Sequence, residues 1–85
     1  EEQFVANPIP FDSLDIGDMV GLAVRALPPL QREVLVLAEY EELSLEEISR
    51  AVGAGVGAVK ARLHRARENL RRMLAPLRTS MNRAG

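Results

Sequence analysis

Lys60, Arg62, His64, Arg65, Arg67, Arg71 and Arg72 crowd into one stretch, VGAVKARLHRARENLRR (56–72), with Glu68 as its single acid. Side chains of this kind bind anions, by charge at a distance and by hydrogen bonds at contact. On a helix at about 100° per residue, Val56, Val59, Leu63, Ala66, Leu70 and Leu74 fall on one stripe. The opposite side then carries Gly57, Ala58, Ala61, Arg65 and Arg72, with His64 beside them and Lys60 and Arg62 on the flanks. About 17 residues rising 1.5 Å each make a rod of roughly 25 Å, long enough to lie along a groove of duplex DNA. Small residues in the first turns let a helix end approach base edges, and long cations behind them reach phosphates. This pattern predicts a recognition helix. The alternative is a solvated basic face on a structural helix.

Little else in the chain has the makings of a reactive site. His64 is the only histidine and there is no cysteine, so no second soft ligand can complete a zinc site around it. Glu46 and Glu47 could form a general acid and base pair, but capping explains Glu47 and no nucleophile stands against them. No phosphate-binding glycine loop of the Walker type occurs. No catalytic residue, cofactor or metal is expected, and hence no enzyme.

The charge is split. Residues 1–49 hold eleven acids and two bases, net −9, whereas residues 50–85 hold nine bases and one acid, net +8. The overall charge of −1 hides this dipole, which points to an anionic partner for the C-terminal half. Only three aromatics (Phe4, Phe11, Tyr40) occur, which argues against a base-stacking single-strand binder. Eighty-five residues make one small domain that must rely on its core, since disulfides are not available to it. No apolar run is long enough to span a bilayer and no secretory signal is present, so no membrane insertion is expected. A chain opening on Glu1 rather than Met is expected to be part of a longer one.

The elements that must position the basic stretch are legible in order. Residues 1–14 hold two prolines and no helical period, and read as a linker or tail in which Phe4, Ile9 or Phe11 can pin to the domain. Asp15 suits an N-cap, with Ile16, Met19, Val20, Ala23 and Leu27 following at helical spacing. Gly17 and Gly21 weaken that helix but would let another backbone come close. Pro28-Pro29 ends it and starts the next, whose inner stripe is expected to be Leu30, Val34, Leu37 and Ala38. Leu35 and Val36 point to other sides, so that this helix is expected either to be sandwiched between neighbours or to offer them to a partner surface. Ser44-Leu45-Glu46-Glu47 is a capping box, and Leu45, Ile48, Ala51 and Val52 give its helix a short core contact. Gly53-Ala54-Gly55 breaks that helix, with Gly53 suited to a left-handed cap. The pattern predicts an all-α domain over 15–76, with helices near 15–27, 29–41, 44–52 and 55–75 and no strand. The last two form a helix-turn-helix. Pro76 limits the last helix, and residues 77–85 are expected to fray.

Three motifs resemble a known family: LP-x-x-x-REVL at 27–35, LS-x-EEI at 43–48, and VG-x-VK-x-RLHRAR at 56–67. Together they look like region 4 of the bacterial sigma factors, in particular the extracytoplasmic-function group, over about Leu27 to Leu74. The resemblance implies a cytoplasmic transcription-initiation domain that reads the −35 promoter element in the major groove. It also implies docking on the flap of core RNA polymerase, and capture by an anti-sigma factor. Carried over, the groove contacts fall on Lys60, Ala61, His64 and Arg65, and phosphate or structural contacts on Arg62 and Arg67. On a recognition helix Arg71 and Arg72 are likewise expected to act through the DNA backbone. The chain departs from the family at Gly55 (often proline), Ala58 (threonine), Ala61 (serine), Ala38 (sometimes a phosphate-binding arginine) and Glu42 (glycine). Two alternatives stay open. One is the output domain of a LuxR-type response regulator, which shares an REVL…EIA…VK pattern but lacks the RLHRAR run. The other is a sigma-like module that works by binding protein.

Overall fold

The computed structural model describes residues 4–8 and 15–76. The expected fraying of 77–85, and the pinning of Ile9 or Phe11, lie outside those residues. Four helices run in order: α1 (Ile16–Ala26), α2 (Pro29–Glu39), α3 (Leu45–Val52) and α4 (Val56–Met73), with no strand among the described residues. Helix α4 is the hub. Helix α2 packs along it most extensively, α3 next, and α1 more lightly.

Each boundary has a local cause. The Asp15 carboxylate accepts from the Asp18 amide at 2.8 Å and starts α1. The Arg32 guanidinium reaches back from α2 to donate to the Arg25 carbonyl at 3.0 Å, satisfying an acceptor at the end of α1. The α3 capping box closes both ways: the Glu47 amide donates to Ser44 Oγ at 3.1 Å, and the Ser44 amide donates to Glu47 Oε1 at 2.8 Å. Those bonds favour the ionised carboxylate, so Glu47 titrates below its ordinary value. Gly53 then adopts φ +70°, where a side chain is strained. The Ser49 hydroxyl donates to the Ala54 carbonyl at 2.5 Å across the turn, and so fixes the angle at which α4 leaves. A second left-handed residue, Glu42 at φ +55°, turns the chain within the α2–α3 connection.

The core is built from Ala23, Val24 and Leu27 on α1 and its cap, Val34 and Leu35 on α2, Ile48 on α3, and Val59, Leu63, Ala66 and Met73 on α4. Three helix phases differ from the sequence expectation. On α2 the inner positions are Gln31, Val34 and Leu35, while Leu30 is 44% exposed. On α4 the late core positions are Asn69 and Met73, with Leu70 and Leu74 only partly buried. One contact accounts for both: the Asn69 side-chain amide donates to Gln31 Oε1 at 2.8 Å inside the core. That pair turns two polar residues inward and rotates the neighbouring leucines outward. Among the described residues no buried side-chain nitrogen or oxygen lacks a partner, so the pair costs the core no stranded polar group. On α1 the burial shifts to Ala23 and Val24, and Ile16 is 57% exposed. Gly17 and Gly21 meet no neighbouring backbone; a side-chain atom is what lies near each.

Candidate nucleic-acid interface

Helix α3, the Gly53–Gly55 turn and α4 form the expected helix-turn-helix. With Val59, Leu63, Ala66, Asn69 and Met73 locked in the core, the basic side of α4 is committed to face outward. Lys60, His64, Arg65, Arg67, Arg71 and Arg72 are exposed, and Ala61 and Arg62 half-buried. Gly55 opens the helix without a side-chain cap, and its first turn holds no acid. The amide end of α4 is therefore left positive.

The exposed side is not uniform. One flank forms a wall of an open groove, made by Ala58, Ala61, Arg62, Arg65 and Arg72 together with Glu68. The opposite wall comes from Leu30 and Gln31 at the start of α2 and from Phe4. The structure thus brings Ala61, Arg62, Arg65 and Arg72 together. Lys60 and His64 are exposed but line no part of this groove.

Two of the expected phosphate contacts are already engaged. Arg67 Nη2 lies 2.6 Å from Glu39 Oε1 on α2, and Arg71 Nη2 lies 2.5 Å from Glu68 Oε2 one turn back. The Arg71 hydrogen bond, reinforced by its charge, holds the Glu68 carboxyl below the ordinary carboxylate range. All four side chains are roughly half exposed. Exposed pairs of this kind are screened by solvent and add little, so a polyanion can recruit either arginine at small cost. Among the described residues Lys60, Arg62, Arg65 and Arg72 are in no ion pair.

Sequence reasoning placed Leu35 on a partner surface, and the structure corrects this. Leu35 is 4% exposed and belongs to the core, because the inward Gln31 sets the helix phase that buries the residue one turn on. Val36 is half-buried and lines a second, shallower groove between α2 and α3 with Pro29, Arg32, Glu33, Leu37, Ala51 and Val52. Five residues of the first groove went unnoticed as site residues: Phe4, Leu30, Gln31, Glu68 and Asn69. Only Glu68 had a signal, as the lone acid of the basic half.

A compact all-α domain with a capped helix, a glycine turn and a long basic helix defines a helix-turn-helix protein. Residues 17–70 match the family described as "Sigma-70, region 4", and the chain belongs to that family. It is similar to the extracytoplasmic-function RNA polymerase sigma factor SigW of Bacillus subtilis, at 42% identity over 65 residues, which cover 76% of this chain and 35% of that protein. The corresponding factor SigE of Mycolicibacterium smegmatis is 42% identical over 60 residues, 71% of this chain and 23% of its own length. The RNA polymerase sigma-E factor of Streptomyces antibioticus is 46% identical over 52 residues, 61% and 29% respectively. The chain therefore spans about a third or less of these relatives.

Proposed function

We propose that this domain reads the −35 element of promoter DNA with α4 in the major groove, as the C-terminal part of an extracytoplasmic-function sigma factor. The supporting observation is the flank of α4 on which small residues, Ala58 and Ala61, stand beside the cations Arg62, Arg65 and Arg72, which are in no ion pair among the described residues. Lys60, Ala61, His64 and Arg65 approach base edges in this scheme. Arg62 and Arg72 hold phosphates, and Arg67 and Arg71 join by leaving Glu39 and Glu68. The role is recognition and not catalysis, needs no cofactor or metal, and belongs in the cytoplasm with the polymerase. No described helix is long and apolar enough to cross a membrane.

Titration at low salt of a −35-like duplex and a scrambled one tests this. Arg65→Ala should cost roughly 1–3 kcal/mol on the −35-like duplex and relax preference at one position. Arg72→Ala should weaken both duplexes alike and lower the salt slope by about one. Equal binding to both duplexes, unchanged by Arg65→Ala, would sink the proposal and leave the protein-interaction module in its place.

The α2–α3 groove around Val36 is the proposed seat for the flap of core RNA polymerase, or for an anti-sigma factor. Half-buried Val36 sits at the rim of the fold, so Val36→Glu should abolish co-purification with polymerase core while leaving the melting curve near wild type. If Val36→Glu unfolds the domain, the residue is structural and the seat lies elsewhere.

A further inference from the structure

A segment outside the four helices lines, through Phe4, the groove beside the flank assigned to DNA. Phe4–Pro8 carries no helix, and its side chains alternate: Phe4 half-buried, Val5 70% exposed, Ala6 8% exposed. That alternation is the mark of an extended strap laying one edge on a surface. Ala6 joins the core cluster and Phe4 packs against it. Phe4 also faces Ala58, Ala61, Arg62 and Arg65 across the open groove.

A helix with its side chains is about 10–12 Å across, and the major groove of B-DNA is about 12 Å wide. A helix reading bases therefore fills the groove, and the DNA walls need the space on its flanks. An aromatic residue on the far wall of the groove that flanks Ala61 and Arg65 stands where a DNA wall would have to pass. Nor does the strap bring anything to attract a phosphate. No lysine or arginine precedes Arg25, and Glu1 and Glu2 stand just ahead of Phe4 in the sequence. Competition with DNA, and not extension of the DNA interface, is what this chemistry favours.

We infer that Phe4–Pro8 is an autoinhibitory strap, seated beside α4 in the free domain and displaced when duplex DNA takes that flank. The inference rests on the DNA-reading role proposed above. The test uses the 85-residue chain, its Phe4→Ala and Val5→Ala variants, and the −35-like and scrambled duplexes. A seated strap lowers the binding-competent fraction, so Phe4→Ala should tighten binding to both duplexes by roughly five-fold, whereas exposed Val5→Ala changes nothing. In wild type, the proton resonances of the Phe4 ring should differ from random-coil values and move toward them as the −35-like duplex saturates. This second measurement needs no variant to fold. Weakened or unchanged binding by Phe4→Ala, random-coil ring shifts in the free chain, or ring shifts unmoved by DNA would each overturn the strap. If none of the proteins binds either duplex, the DNA role falls and the competition with it. That result is distinct from an unseated strap, because the ring shifts of the free chain still report seating.

Discussion

At the scale of single residues, the sharpest feature outside the interface is Glu42, a non-glycine at φ +55°. The left-handed region costs an L-residue roughly 1–2 kcal/mol, because Cβ crowds the backbone carbonyl. The sequence flagged this position only as one where the family usually has glycine, and the backbone now supplies the reason. Glu42→Gly should stabilise the domain by about 0.5–1 kcal/mol, since relief of strain is partly offset by the freedom glycine adds to the unfolded chain. A raised urea midpoint at unchanged slope is the expected result, and a lowered midpoint would show that the Glu42 side chain matters more than its backbone. Glu68 is the second such residue. It stands in the groove, tied to Arg71 and facing the cations that would meet DNA. Glu68→Gln removes one repulsive charge and frees Arg71, so it should tighten binding to any duplex and steepen the salt dependence, readable in the same titration.

Among the elements, α3 is the one whose existence depends most on a charge. It has eight residues, too few to hold together by propensity alone, and its buried anchor is Ile48. The Ser44–Glu47 box supplies the rest, and Glu47 titrates below its ordinary value because the Ser44 amide donates to its ionised carboxylate, with the Ser44 side chain adding to the effect. A carboxyl whose folded pKa is depressed adds stability that is present above its unfolded pKa and is lost as pH falls through the folded one. Wild type should therefore lose stability as pH falls below about 4.5, the ordinary value for Glu47. Glu47→Gln keeps a capping side chain at every pH and should show a flatter acid limb in thermal melts followed by circular dichroism. Identical acid limbs would mean that other carboxylates govern that range.

For the whole molecule, the feature that sets how the helices face one another is the buried Gln31–Asn69 pair linking α2 to α4. Removing one partner strands the other in the core, so Asn69→Leu alone should cost about 1–3 kcal/mol. Replacing both with leucine should recover most of that loss, because no orphaned amide remains. A double variant as unstable as the single one would show that the two do not act as a pair. Leu63, 4% exposed at the centre of α4, is the apolar counterpart. Leu63→Ala should cost about 2–5 kcal/mol, a large share of the 5–15 kcal/mol a domain commonly has. A near-wild-type melting curve would contradict its place in the core.

The elements and their ends are legible along the chain before it folds. Local chemistry decides these: Asp15 and Ser44 as caps, Pro28-Pro29 as a break, Gly53 as a left-handed stop, and a 3.6-residue period that sends Val59 and Leu63 inward. The expected helices agree with the structure to within about two residues at each boundary. The basic side of α4 was legible for the same reason, since a long helix with one apolar stripe has only one other side to offer. What the tertiary structure alone decided is everything that needs two distant segments to meet. Hydropathy counts Gln31 and Asn69 as solvent-facing, and only their encounter across 38 positions makes burial favourable. That encounter moved Leu30 outward and Leu35 inward. In the same way, Glu39 on α2 claims Arg67 on α4 at the surface, and Phe4 reaches the groove beside a helix that begins more than fifty residues later. A pairwise contact has no signature in the periodicity of either partner, and so these appear only once the chain has closed on itself.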